Sequence, residues 1–317
     1  MILKLPLKLY DGLFTPMGRK SLRYYMKRVA AGRNPDFQKH GTFTYLLKSR
    51  NRFVYHRGNH LSELIYLEGA YEPLETLIAS KIVRNGDLVL DIGANVGYFT
   101  ALLDDLVSPA GQVHAFEPGD GTFVNLEATR RLLKLDCAFL HRKAVSDSTG
   151  TIDFWLSTKG SDAQQSTVKS AAMGAAVIRK SVEATTVDAV AAELNGQGAG
   201  RISFVKCDIE GAEVSMINGA RRLIMSQDPP IWLIEHNRQA LLEHGAVSLD
   251  LLSPFLHYEI YFVPLSWPPS VMVLQRAKKW NGVPEALPDE CNLIMLPKHG
   301  ACKSRVAALH QAGLIEP

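Results

Sequence analysis

Between Asp87 and Gly97 the chain reads Asp-Leu-Val-Leu-Asp-Ile-Gly-Ala-Asn-Val-Gly. Three apolar residues, Leu88 to Leu90, run without alternation into Asp91 and a glycine-spaced turn. An apolar run with no polar face belongs to a strand covered on both sides, the environment of a parallel sheet between two helical layers. The carboxyl end of such a strand opens into a ligand crevice. This stretch therefore restricts the chain to α/β folds with a central parallel sheet and puts the chemistry where the strand ends.

The residues that follow keep to that plan. Tyr98 to Val107 reads as a helix broken at Pro109-Ala110-Gly111, and Gln112 to Phe116 as a strand ending on Glu117-Pro118, 26 residues beyond Asp91. Asp120 to Leu135 reads as a helix, Cys137 to Arg142 as a strand and Ala144 to Asp147 as the loop after it. Strand and helix alternating at this spacing signal a parallel sheet with right-handed crossovers. Thr151 to Leu156 alternates like an exposed strand, and Ser157 to Lys180, rich in Ser, Ala, Gly and Gln, reads as a loop or partly ordered insert near the cleft. Thr185 is placed to cap a helix from Val187 to Leu194. Ile202 to Cys207 and Ile231 to Ile234 complete five strands, and runs at Ile260 to Val263 and Leu293 to Leu296 are available to finish the sheet. Lys303 to Gln311 reads as a closing helix.

Upstream, Glu72-Pro73 opens a helical stretch through Leu74, Leu77, Ile78 and Ile82 that Asn85-Gly86 can end. The division expected is a basic arm over 1–60, a catalytic domain over 61–299 with its motifs in 71–236, and a tail over 300–317. The overall charge of +3 hides an imbalance: residues 1–60 hold 13 Lys or Arg against 2 acids, so the remainder is net negative. Apolar positions from Pro16 to Ala31 recur at helical spacing among basic residues, suited to covering the domain, to an anionic membrane surface or to RNA.

Cys137, Cys207, Cys291 and Cys302 stand far apart without a metal-ligand spacing, so reduced, buried thiols and a reducing compartment are expected. Lys4, Pro6 and Lys8 interrupt the opening apolar run, and the longest uncharged stretch, Ile260 to Gln275, contains three prolines. A cytoplasmic chain with no membrane span is expected, with peripheral membrane contact left to the basic arm.

Gly93 and Gly97 allow a tight turn and close approach of a ligand to the backbone. The run lacks the third glycine of a dinucleotide fingerprint, which disfavours a hydride-transferring dehydrogenase. Asp91 repels phosphate and suits a cationic ligand, while Glu117 is placed to accept from two ribose hydroxyls. A sulfonium nucleoside carrying an amino acid, S-adenosylmethionine, meets both demands.

Four blocks in order, Asp91 to Gly97, Phe116-Glu117-Pro118, Val205 to Glu213 and Ile234-Glu235, resemble the successive motifs of the FkbM family of methyltransferases. The resemblance covers Tyr71 to His236. It implies a class I methyltransferase fold, a Rossmann-like three-layer sandwich around a seven-stranded, mostly parallel sheet with one antiparallel strand near its edge. It further implies that Asp91, Gly93, Asn95 and Gly97 line the methionine and ribose side, that Glu117 holds the ribose, and that Ala144, Val145 and Ser146 lie by the adenine. Asp208 would face the methyl-transfer zone. Cys207 departs from the bulkier aliphatic usual before that acid, and the alanine-rich insert is a second departure, so the resemblance does not carry over an acceptor.

If the acceptor is an alcohol, a base contributes on the order of 10² to 10⁴ in rate. Asp208, Glu210 and His236, all just past strand ends, are the candidates, with Asp208 first. Glu213 has a structural alternative in charging the first turn of a helix. Asp208 and Glu210 are also hard oxygen ligands for a divalent cation, although no metal site is expected. Asp228-Pro229-Pro230 resembles a motif of amino-group methyltransferases but precedes the fifth strand instead of following the fourth, and so reads as a turn. The expected activity is O-methylation of a hydroxyl on a small molecule or glycan. RNA methylation through the basic arm and a non-catalytic S-adenosylmethionine-binding module are the rivals. The oligomeric state is left open.

Overall fold

The computed structural model describes residues 42–46, 52–68, 71–157, 165–167, 177–264 and 276–316. The helix expected over Pro16 to Ala31 and most of the Ser157 to Lys180 insert lie outside the described residues. A hairpin of β1 (Thr42–Leu46) and β2 (Arg52–His56) leads into α1 (His60–Glu68) and α2 (Pro73–Ile82). The alternation then begins: β3 (Leu88–Ile92), α3 (Tyr98–Val107), β4 (Gln112–Phe116), α4 (Asp120–Leu133) and β5 (Ala138–His141). After the excursion β6 (Ala144–Val145), β7 (Gly150–Ser157), β8 (Gln165–Ser166) and β9 (Val177–Thr185), the chain returns through α5 (Val187–Gly196) and β10 (Ile202–Cys207). Then come α6 (Glu213–Asn218), α7 (Arg221–Ile224), β11 (Ile231–Asn237), α8 (Arg238–Glu243), α9 (Ser248–Leu252), β12 (Tyr258–Pro264), β13 (Lys278–Lys279), β14 (Glu290–Pro297) and α10 (Lys303–Gln311).

Among the described residues the main sheet has eight strands in the order β13-β12-β14-β11-β10-β3-β4-β5. The five strands from β11 to β5 are mutually parallel, and β14 runs antiparallel between β11 and β12. This is the class I methyltransferase arrangement. The count differs from the expected seven because Lys278–Lys279 pairs with Tyr261 and Phe262 as an extra edge strand, too short and too charged to register in an apolar pattern.

The central strands β3, β4 and β10 are buried on both faces, as their mostly apolar runs require. Val89, Phe204, Leu233 and Ile294 pack beneath α2, α3 and α10, while Leu90, Val205, Ile234 and Leu293 pack against α5, α6 and α9. The first cluster also takes in Phe53, Val54 and Tyr55 of β2 and Leu309 of α10. The 60/61 and 299/300 boundaries therefore run through one continuous core. Arg305 of α10 closes it by donating two hydrogen bonds to the Asp87 carboxylate, one of them 2.8 Å to Oδ1, and one of 2.9 Å to the Ile82 carbonyl.

A second sheet, β6-β9-β7-β8, stands apart from the first. Two expectations change here. Ala144 and Val145 are strand, paired parallel with Ala184 and Thr185, and the end of the supposed insert, from Val177, belongs to β9. Thr186, one residue on from Thr185, caps α5 by accepting from the Ala189 amide at 3.0 Å. The four cysteines are free and buried.

Candidate active site

At the carboxyl ends of β3, β4, β10 and β11 lies a cavity of about 200 Å³. One wall is the glycine turn. The Gly93 and Ala94 amides both donate to the Phe116 carbonyl at 3.0 Å, which folds the turn back onto the end of β4. Gly93 adopts φ +80°, and a Cβ there would stand 1.8 Å from the Asp208 carbonyl oxygen, so only glycine lets β3 and β10 approach this closely. Asn95 also lies in the left-handed region, at φ +49°, which asparagine tolerates better than most residues. Its amide donates to Glu117 Oε2 at 3.0 Å, while Glu117 Oε1 accepts from the Gly119 amide and the Thr122 hydroxyl at 2.9 and 2.8 Å. Asp91 is fully buried; its Oδ2 accepts from the Thr100 hydroxyl at 2.6 Å, and Oδ1 has no partner among the described residues.

The facing wall carries acids around one cation. Lys206 is the register partner of Asp91 on β10, 5% exposed, with Nζ 2.9 Å from Asp208 Oδ2 and 4.9 Å from the centre of the Phe99 ring. Burial works against its charge, but Asp208, Glu72 and Asp91 outweigh that and hold the ammonium above the usual lysine range. Burial likewise opposes ionisation of Asp208, yet Lys206 and a hydrogen bond with Glu235 hold its carboxyl below the ordinary value. Glu235 moves the other way, raised first by burial and then by Asp208, Glu210 and Glu213. The two neighbouring carboxyls are thus pushed in opposite directions, Asp208 down and Glu235 up. Glu210, in the left-handed region at φ +56°, sits exposed at the rim. The protein crowded about its carboxyl, with Asp208 and Glu213, raises its pKa. Behind this wall, Asn292 Nδ2 donates to Glu75 at 2.9 Å and to Glu72 at 3.3 Å. Burial, then the neighbouring carboxyls, push Glu72 up to about 8 although Lys206 opposes it.

Of the residues expected from the sequence, the fold brings Asp91, Gly93, Asn95, Glu117, Asp208 and Glu210 around this cavity. Others are elsewhere. Gly97 begins α3 and packs against α4, where a Cβ would meet Leu126 and Thr129. Ala144 and Val145 pair with β9, Ser146 abuts Gly219, and none of the three is in the cavity wall. His236 is a correction: alternation along β11 turns it away from Glu235, and it is fully buried with Nε2 2.8 Å from the Ser248 hydroxyl and Nδ1 3.7 Å from Cys291 Sγ. Burial lowers its pKa to about 4, so it is a neutral packing histidine. Glu213 opens α6, and its Oε1 accepts from the Ile209 and Gly211 amides at 3.0 and 3.2 Å, bracing the loop that carries Glu210. Asp228 stands before β11, at the opposite end of the sheet from the cavity, and accepts from the Ala301 amide at 2.8 Å.

Sequence reasoning missed Lys206, Glu72 and Phe154, the last delivered to the cavity by β7 of the second sheet. Lys206 did leave a signal: it is a charged residue inside an otherwise apolar strand, which is tolerated only where partners await it.

Residues 91–259, just over half of the chain, match the methyltransferase FkbM domain. This chain belongs to the FkbM methyltransferase family. Among solved structures it is similar to an FkbM methyltransferase from Methylobacillus flagellatus, at 15% identity and a TM-score of 0.40, over 90% of this chain and 61% of that one. It is also similar to an S-adenosylmethionine-dependent O-methyltransferase from Thermotoga maritima, at 12% identity and a TM-score of 0.41, over 82% and 79% of the two chains. No curated protein matches it in sequence.

The cofactor of this FkbM methyltransferase is S-adenosylmethionine, and the cavity suits it. The wall presents Asp91, Glu117, Asp208, Glu210 and Glu235 against Lys206, a balance that favours a cationic ligand. The unpartnered buried oxygens Asp91 Oδ1 and Asn95 Oδ1 call for hydrogen-bond donors, which an ammonium and ribose hydroxyls provide. Asp91, Gly93, Asn95 and Glu117 would hold it. When bound it supplies an electrophilic methyl carbon. Among the described residues no group of three or more His, Cys, Asp or Glu side chains is arranged to hold a metal ion, and no helix is long and apolar enough to cross a membrane.

Proposed function

We propose that this FkbM methyltransferase O-methylates a hydroxyl of a small molecule or glycan, with Glu210 as the base. The reading is supported chiefly by one feature, the position of Glu210 at the cavity rim, beyond the strand that carries Lys206 and Asp208, where it is the exposed acid of the cavity wall. A base works best with its pKa near the operating pH. Asp208, the first choice from sequence, bonds to Lys206 and is held below the ordinary carboxylate range by it and by Glu235, which makes it a weaker base and a better electrostatic partner. As the acceptor oxygen bonds to carbon, its proton passes to the Glu210 carboxylate, and the phenyl and phenol rings of Phe154, Phe99 and Tyr71 in the cavity wall help exclude water.

The acceptor is found by incubating the enzyme with methyl-labelled cofactor and fractionated cell extract and identifying the labelled product. With that acceptor, Glu210→Gln is expected to lower turnover about 10²-fold or more at unchanged cofactor affinity. Full turnover in this variant removes Glu210 as base, and full turnover in Asp208→Ala removes that residue from the site's machinery. A product methylated on RNA, with affinity that falls steeply with salt, would replace this reading by the nucleic-acid one. The net charge of +11 over residues 1–60 supports, in the same cytoplasmic setting, peripheral contact with an anionic membrane surface, which liposome flotation tests.

A further inference from the structure

Lys206 is buried, and a buried lysine costs a strand dearly unless carboxylates compensate it. Its surroundings are specific. It projects from β10 beside Asp91 of β3, it lies 2.9 Å from Asp208 Oδ2, and the face of Phe99 from α3 is 4.9 Å from Nζ. Glu72, at the start of α2, and Asp91 add their fields to that of Asp208. Among the described residues it is the one cation in the cavity wall, against five acids.

We propose that Lys206 is the charge-balancing positioning residue of the cofactor site, whose ammonium keeps the surrounding Asp91, Asp208 and Glu72 carboxyls from holding the sulfonium cation much more tightly than the neutral sulfide product. The need for such a group follows from the reaction class. Positive charge on sulfur is lost as methyl transfer proceeds, so a site with an uncompensated negative field stabilises the starting cation more than the transition state and slows the reaction. Only a buried opposite charge cancels that field without loosening the carboxyls that orient the ligand, and Lys206 both cancels it and fixes Asp208 by a direct hydrogen bond. The proposal rests on the cofactor assignment and is independent of the acceptor.

The test is calorimetric titration with S-adenosylmethionine and, separately, S-adenosylhomocysteine at pH 8.5, using wild type, Lys206→Gln and Lys206→Arg. Glutamine retains a donor for Asp208 but no charge, so a purely structural lysine would be replaced by it. In Lys206→Gln the preference for the sulfonium over the sulfide is expected to rise about tenfold or more, the effect of one unit charge at short range in a medium of effective dielectric about 20. In Lys206→Arg the preference stays at the wild-type value. At pH 6 the glutamine variant's preference is expected to fall back toward wild type, because Asp208 and Asp91, freed of the ammonium, take up a proton more readily. Circular dichroism checks the fold, and Lys206→Met carries the same expectation if the shorter amide destabilises it. A preference within about twofold of wild type at pH 8.5 in a folded, neutral variant that binds both ligands overturns the proposal. A wild type that binds neither ligand overturns the cofactor assignment itself.

Discussion

The two glycines of the Asp91 to Gly97 turn are expected to fail differently when each is replaced by alanine. Both have positive φ, +80° at Gly93 and +89° at Gly97, so alanine pays roughly 1–2 kcal/mol at either for the left-handed backbone. What the new methyl meets distinguishes them. At Gly93 it lies 1.8 Å from the Asp208 carbonyl oxygen and 2.8 Å from its carbonyl carbon, both backbone atoms, so contact at even 3.0 Å needs a displacement of more than an ångström. Asp208 is anchored there by its own amide, which donates to the Ile92 carbonyl at 3.0 Å, so the displacement disrupts the joint between β3 and β10. The total cost for Gly93→Ala is about 2–4 kcal/mol, and a shift of an ångström at the site costs about 10²-fold in turnover. At Gly97 the methyl meets Leu126 Cδ1 at 2.8 Å and Thr129 Cγ2 at 3.1 Å, side-chain ends that can give way between α3 and α4, outside the cavity wall. Urea denaturation and calorimetric cofactor titration of both variants read the two effects separately. Stability is expected to fall in both, with cofactor affinity lost in Gly93→Ala and largely kept in Gly97→Ala. Undiminished affinity in Gly93→Ala, or equal loss in the two, would refute this division of labour.

Further expectations concern buried charge. Glu213 is 1% exposed, and burial raises its carboxyl from 4.5 to about 7, so its ionisation costs stability increasingly as pH rises from 4.5 to 7. Glu213→Gln, which keeps an acceptor for the Ile209 and Gly211 amides, should therefore gain on wild type by up to about 3 kcal/mol in denaturation at pH 8 and by little at pH 4.5. His236 has the opposite sign: lowered from 6.5 to about 4, it withholds a proton that the unfolded chain binds. Wild type should lose up to about 3 kcal/mol relative to His236→Gln as pH falls from 6.5 to 4, and methyl transfer by the variant at pH 7.5 should persist, since the ring lies away from the cavity. Arg305→Ala leaves Asp87 buried and unpaired and should cost about 3–5 kcal/mol in unfolding free energy; a loss under 1 kcal/mol would contradict the role of α10 as a clamp.

The parallel core was legible because its signals are local. Leu88 to Leu90, Gln112 to Phe116 and Ile202 to Cys207 announce covered strands by their mostly apolar content, and each is followed by the acid that marks its carboxyl end. Of the excursion from Ala144 to Thr185 only β7 was legible, in the alternation of Thr151 to Leu156, since the other strands pair across long intervals and lie in segments rich in Ser and Ala. His236 misled because a residue just past a run of apolar positions looks like a strand end, whereas β11 continues to Asn237 and the period of two sends Glu235 and His236 to opposite faces. The partners of Lys206 could not be read from sequence, because Glu72 is 134 positions upstream and only the packing of α2 over the strand ends brings its carboxyl near.

Binding of S-adenosylmethionine along the Asp91 to Glu117 wall is read by calorimetric titration of the wild type beside Glu117→Ala. Binding is expected to be saturable in wild type and to weaken about tenfold or more in the variant, through the loss of charge-assisted hydrogen bonds from a buried carboxylate. Equal affinity in the two proteins would contradict it.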